Sequence, residues 1–117
     1  MKILRFDAEV GRQIEQFGSV QVSLAGIARL SGKAQVSCMH IGPGGRVGYH
    51  PAAAAQLFLV VQGDGWVQGE TAEQAPIHAG QGALWKAGEE HASGSAVGMT
   101  AIVIESEGLS PVETEQS

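Results

Sequence analysis

Short alternations of apolar and polar residues run along most of the chain. Leu4 and Phe6 flank Arg5 within Lys2 to Asp7, which predicts a short strand. Val10 and Ile14 are four apart, but the uncapped segment from Ala8 to Gln16 supports one helical turn at most. Val20, Val22 and Leu24 share one face, with Gln21 and Ser23 between them, and the strand continues after Gly26 to Leu30. Ser31-Gly32-Lys33 is a hairpin signal, and Ala34 to Ile41 is its returning strand. Gly42-Pro43-Gly44-Gly45 ends it, because proline cannot continue a ladder.

Leu57 to Val61 is an unbroken apolar run, the pattern of a strand covered on both faces. Gly63-Asp64-Gly65 then predicts a tight turn, with Trp66-Val67-Gln68 beginning the return and Gly69 to Gln74 forming a polar loop tip. A short strand lies between Gly82 and Gly88, and Gly98 to Glu105 is a strong last strand. About eight or nine short strands with no long helical period predict an all-β sandwich or barrel.

Composition narrows the reading. A chain of 117 residues fits one domain with a real core. The 17 glycines are scattered, which means many turns. Residues 1–108 read as the β domain, and 109–117 as a polar acidic tail, loosely ordered or draped. The net charge is −5, and no Lys or Arg follows Lys86, so nucleic-acid binding lacks its main driving force. The single cysteine, Cys38, excludes an intrachain disulfide and reads as a small buried or interface residue. No apolar run approaches the ~18 residues of a membrane span. MKILRFDAEV has no secretory apolar core, so a cytoplasmic location is the default expectation.

Two glycine-framed stretches carry the candidate chemistry. Gly44 is followed by five residues and His50, and Gln56 by six residues and Gly63. Gly80 is followed by five residues and Lys86, then Gly88, His91 and Ser95. Together these spacings resemble the two motifs of the cupin superfamily. The resemblance implies a double-stranded β-helix, or jelly-roll, barrel with His50 and His91 facing one cavity. It departs from the family pattern at four places. Ala52 replaces a histidine, Gln56 a glutamate, Lys86 a proline and Ser95 an asparagine.

In metal-binding cupins three histidines and a glutamate hold Fe, Mn, Ni, Cu or Zn. Here the candidate metal set is His50, Gln56 and His91, which brings no negative charge. The expectation is therefore a weakly bound divalent metal or none. By alternation Phe58 and Val60 share the face of Gln56. The candidate ligand pocket is His50, Gln56, Phe58 and His91, with a neutral or anionic organic ligand favoured over a bare cation. Trp66 and Trp85 read first as core or contact residues and second as pocket walls. His40 reads as exterior and His78 as exposed in a loop. Glu89 and Glu90 read as a solvated charged turn.

Four functions follow from the resemblance. The first is a small-molecule-binding cupin with a weakened or absent metal site. The second is a metal-dependent oxygenase or isomerase using His50, Gln56 and His91. The third is a metal-free isomerase like the sugar epimerases, with His50 or His91 as base and only Arg46 and Lys86 to meet a phosphate. The fourth is a sensor or assembly module without catalysis. In every case a homodimer is expected, because a small barrel has strand edges to protect.

Overall fold

The computed structural model describes residues 1–112. Its strands are β1 (Lys2–Arg5), β2 (Arg12–Gln13), β3 (Ser23–Leu24), β4 (Ala28–Ser31), β5 (Gln35–Ile41), β6 (Gly45–Pro51), β7 (Gln56–Gln68), β8 (Gln74–His78), β9 (Gln81–Trp85), β10 (Glu90–Ser95), β11 (Met99–Glu105) and β12 (Gly108–Pro111). All pairings are antiparallel. The helical turn expected near Val10 is a single 3₁₀ turn, Ala8–Val10, capped by the Asp7 side chain.

The long strand β7 organises the barrel. Its first half pairs with β9 and β11, and its second half with β8 and β10. One face of the barrel is thus β5-β11-β7-β9-β1, the other β6-β10-β7-β8, and β7 belongs to both. Phe58, Val60 and Val67 point from it into a core shared with Ile77, Trp85 and Val103.

This overturns the expected turn at Gly63-Asp64-Gly65. The three residues lie inside β7, whose ladder to β11 slips between Thr100 and Ala101. Gly63 takes φ 88°, and a Cβ there would stand 2.2 Å from the Gly98 carbonyl oxygen. A Cβ at Gly65 would meet the Gly94 oxygen at 2.2 Å. The glycines therefore make a bulged corner with close backbone approach, which steers one strand from sheet to sheet. The return strand is β8, beyond the expected polar tip.

Other expectations shift in detail. β6 and β10 were not anticipated, and Glu90 and His91 lie within β10 rather than on a loop. His78 is exposed as expected, but within β8. Cys38 is exposed rather than buried. The predicted strand from Val20 to Leu30 is two short pieces, β3 and β4. Part of the expected loose tail is ordered: β12 pairs with β4, Leu109 with Leu30 and Pro111 with Ala28. The remainder of the tail, 113–117, lies outside the described residues.

Two glycine substitutions separate strain from clash. Gly32 has φ 77° and open space around its missing Cβ, so Gly32→Ala costs only the left-handed backbone, about 1 kcal/mol. Gly63→Ala adds a collision with the Gly98 backbone and is expected to cost about 3 kcal/mol or more. Urea unfolding of both variants measures the difference; equal midpoints would contradict the corner assigned to β7.

Candidate functional site

The two motif histidines meet at one end of the barrel. His50 on β6 and His91 on β10 are direct cross-strand partners, and their ring centroids are 4.4 Å apart. His91 is buried at 3% exposure, and His50 sits at the exposed rim. Each imidazole is tied by Nδ1 to a nearby backbone carbonyl: His50 to Gly48 at 2.6 Å and His91 to Glu89 at 3.1 Å. A carbonyl only accepts, so Nδ1 carries the proton of each neutral ring and Nε2 is left as an acceptor.

Beneath His91 lies Trp85, fully buried and stacked on it with ring centroids 4.3 Å apart. Phe58 meets Trp85 edge-on at 5.8 Å. This aromatic column joins the site to the core, and such pairs add about 0.5–1.5 kcal/mol beyond area burial. Phe58 therefore packs under Trp85, which separates it from the histidines. Of the two readings of Trp85, core and pocket wall, its full burial within the core cluster supports the first. Trp66 lies elsewhere, its ring over Gly94 beside a groove lined by Arg46, Tyr49 and Gln74.

Gln56 begins β7 and is 8% exposed. It pairs with Trp85 on β9 on one side and with Glu105 on β11 on the other, and Glu105 pairs in turn with Gln35 on β5. Directly opposed residues in antiparallel strands share a face. Gln35, Glu105, Gln56 and Trp85 thus share one face across four strands, buried at Gln56 and Trp85 and exposed at Gln35. Gln35 and Glu105 also line a cavity of about 550 Å³, with Lys33, Ala54 and Ser106 around it. Glu105, directly opposite Gln56, is a residue that the sequence reading did not single out.

Among the described residues, two buried side-chain polar atoms have no hydrogen-bond partner: Trp85 Nε1 and His91 Nε2. An indole N–H only donates. Leaving such a group buried and unpartnered costs about 1–3 kcal/mol.

Glu89 is no solvated turn residue. It is 8% exposed, accepts the Lys86 backbone N–H at 3.0 Å and pairs with the N-terminal ammonium of Met1 at 2.5 Å. Burial raises its pKa, but the ammonium and the Lys86 amide outweigh that, and the carboxyl is held below its ordinary value. Lys86 stands where a proline was expected by resemblance, and its amide is needed here. Ala52 is buried and its backbone is laced to this turn, donating to Glu89 O and accepting from Gly88 N. Ser95, in the place of the asparagine, donates to Asp64 O at 2.5 Å and accepts from Gly98 N at 2.8 Å, which holds β10 against the β7 corner. His40 is exterior, 3.5 Å from Cys38 Sγ and from Thr100 Oγ1.

Whether the residues suit a metal follows from the donor set. His50 and His91 are preorganised as ligands by their Nδ1 contacts. Among the described residues, however, no three His, Cys, Asp or Glu side chains come together for a metal, Glu105 included. Two imidazoles and a neutral amide do not fit a firmly held divalent cation.

Burial is the main reason that the His91 pKa lies below its ordinary value. His50 adds to the lowering, while the Glu89 carbonyl and the charges of Glu89 and Glu105 oppose it. The unfolded chain therefore takes up a proton at a higher pH than the folded one. Stability should fall as pH drops through the ordinary imidazole range, between about pH 7 and pH 5. The expected result is a lower melting temperature at the acidic end, flattened in His91→Gln. NMR titration of the His91 ring should give a midpoint below that of a free imidazole.

No family model and no curated protein matches the sequence. Solved structures do resemble it in fold. A protein with a double-stranded β-helix domain from Klebsiella pneumoniae superposes with a TM-score of 0.60 at 18% identity, covering 91% of this chain and 93% of that one. A cupin superfamily protein from Desulfitobacterium hafniense gives 0.59 at 14%, covering 90% and 97%. A predicted oxalate decarboxylase from Thermotoga maritima gives 0.55 at 19%, covering 66% and 65%. At these identities the likeness shows the fold and nothing finer.

Proposed function

We propose that this chain, which has the cupin fold, is a small-molecule-binding protein that works without a resident metal. The observation that carries the reading is the pair of unpartnered buried atoms, Trp85 Nε1 and His91 Nε2, at the end of the barrel where His50 and His91 meet. A pocket needs a few convergent polar groups on an apolar wall. The histidines, Gln56 and the aromatic column supply both; the 550 Å³ cavity at Glu105 is a separate space, lined by none of them.

The test is elemental analysis of protein purified without a chelator or a nickel column. Well under one equivalent of Fe, Mn, Ni, Cu or Zn is expected, unchanged after incubation with each ion and dialysis. A full equivalent retained through dialysis, and lost in His91→Ala, would favour the metal-dependent oxygenase or isomerase instead.

A metal-free reaction is the second reading, and the bare Nε2 of a neutral His91 favours it. Such an imidazole takes a proton from a substrate carbon or hydroxyl near neutral pH. Loss of solvent-deuterium incorporation into a turned-over substrate in His91→Gln, with binding retained, is the outcome that distinguishes catalysis from binding alone.

The partner we propose is a second copy of this chain. The segment around β2 and β3 carries Phe17 at 99% exposure, Val20 at 77% and Leu24 at 49%, and Phe17 has φ 61°. Large apolar side chains fully in water are costly, at about 25 cal/mol per Å². Among the described residues β5 pairs only with β11, so its outer edge is open beside the exposed Val36. Light scattering at micromolar concentration should give the mass of a dimer, and Phe17→Ser with Val20→Ser should give the monomer. A wild-type monomer would refute the pairing.

A further inference from the structure

We infer that the outer face of the β6-β10-β7-β8 sheet carries a second binding site, a groove that takes one acidic pyranose ring, with Trp66 as its platform and Arg46 as the reader of the carboxylate. This site lies apart from the histidine pair and does not depend on the pocket proposed there.

The groove follows from the register. Val67 and Ile77 point into the core, so their chain neighbours Trp66 and Pro76 point outward. Arg46, Gly94, Trp66 and Pro76 oppose one another across the four strands, and Ala92, Gln68 and Gln74 make the next row. Between the pairs Val47–Ser93 and His50–His91 the β6 strand has one residue too many, so Gly48 and Tyr49 together face Ala92. This bulge lets His50 meet His91 on the inner face while Tyr49 stays on the outer one. On that face β10 contributes only Ala92 and Gly94. It is therefore the floor, and side chains of β6 and β7 are the walls of a cleft of about 330 Å³. A Cβ at Gly94 would stand 2.5 to 2.7 Å from three atoms of the Trp66 indole. The ring lies across the floor because residue 94 has no side chain. It is half-buried, which leaves part of it facing the cleft.

The polar groups around this platform select the ligand. Among the described residues no hydrogen bond engages the side-chain donors of Arg46, Tyr49 or Trp66, and no ion pair holds Arg46. Arg46 is the one charged residue lining the groove, and a guanidinium matches a carboxylate with two parallel hydrogen bonds. Gln68 spends its amide N–H on the Thr71 carbonyl at 3.1 Å, which leaves its Oε1 to accept from a ligand hydroxyl. Partial desolvation, and then the charges of Glu90, Glu70 and Glu89, hold the Tyr49 pKa above its ordinary value, so the phenol keeps its proton and donates. Those carboxylates lie toward the Tyr49 end and repel an anion there, which directs a ligand carboxylate to Arg46. A flat aromatic acid would cover the indole but would give Gln68 Oε1 no donor. A pyranose with equatorial hydroxyls presents C–H groups to the indole face, hydroxyls at its rim and, in a hexuronate, a carboxylate at one end. A cleft of this volume is at the small end of ligand sites and suits a single ring.

The indole N–H of Trp66 reports on the groove, and that of buried Trp85 serves as the internal reference. Trp66→Phe assigns the two indole peaks in a ¹H–¹⁵N correlation spectrum. The full chain is titrated at constant ionic strength with methyl β-glucuronide, methyl β-glucoside and benzoate. The glucuronide is expected to shift the Trp66 peak saturably and to leave the Trp85 peak in place. The glucoside, which differs only in lacking the carboxylate, should bind about tenfold more weakly, and benzoate more weakly than the glucuronide. Arg46→Gln, at an exposed position, should bring the glucuronide down to the level of the glucoside. If the glucuronide does not move the Trp66 peak, or moves it only together with Trp85, the groove is not the site. If the glucoside matches the glucuronide, or Arg46→Gln leaves their ratio unchanged, the role of Arg46 is overturned. Benzoate binding as well as the glucuronide would overturn the sugar.

Discussion

The barrel depends on one strand being allowed to belong to two sheets. β7 runs unbroken from Gln56 to Gln68, and the chain closes only because it bends at Gly63 and Gly65 without ending. A side chain at either glycine would strike a backbone oxygen of the β10–β11 region. With the bend in place, Phe58 and Val67 face one core from opposite sheets. The same bend sets the row that starts at Gln56 across the barrel from β10. The placement of the Gln56 row relative to the histidine pair is thus set by backbone register.

The site is built on sheet rather than on loop. His50 and His91 oppose each other in a ladder, and Trp85, Gln56 and Glu105 lie on neighbouring strands of another. Strand-borne groups are held by paired backbone on both sides and move little. His91 is held between the stacked Trp85 ring and its Nδ1 contact with the Glu89 carbonyl. This rigidity suits recognition of a fixed pattern of donors and acceptors.

Much of this was legible in the residues. The spacing from Gly44 to His50, and from Gly80 to His91, was enough to bring the two imidazoles to one end of the barrel. The apolar run at Leu57 to Val61 announced a strand covered on both faces, and it is buried as far as Val60. What was not legible was long-range. Glu105 comes to lie opposite Gln56 through cross-strand register, which no local pattern records. Glu89 looked solvated because its partner lies 88 residues away in the chain. Gly63-Asp64-Gly65 read as a turn because glycine permits either a turn or a bulge, and only the pairing of β10 and β11 chooses between them. β10 was missed because Ala92, Ser93 and Gly94 are too small to write an alternation.

The contact between Lys86 and Glu89 restricts the order in which this chain can change. Position 86 must present a backbone N–H to the Glu89 carboxylate. A proline there would remove the donor and strand a buried anion, which is among the more costly single lesions a fold can suffer. Glu89 would have to be replaced first, and that replacement would release the turn whose carbonyl orients His91. Two positions that look independent in the sequence are therefore coupled, and the path back to a proline at this corner passes through a chain whose imidazole has lost its anchor.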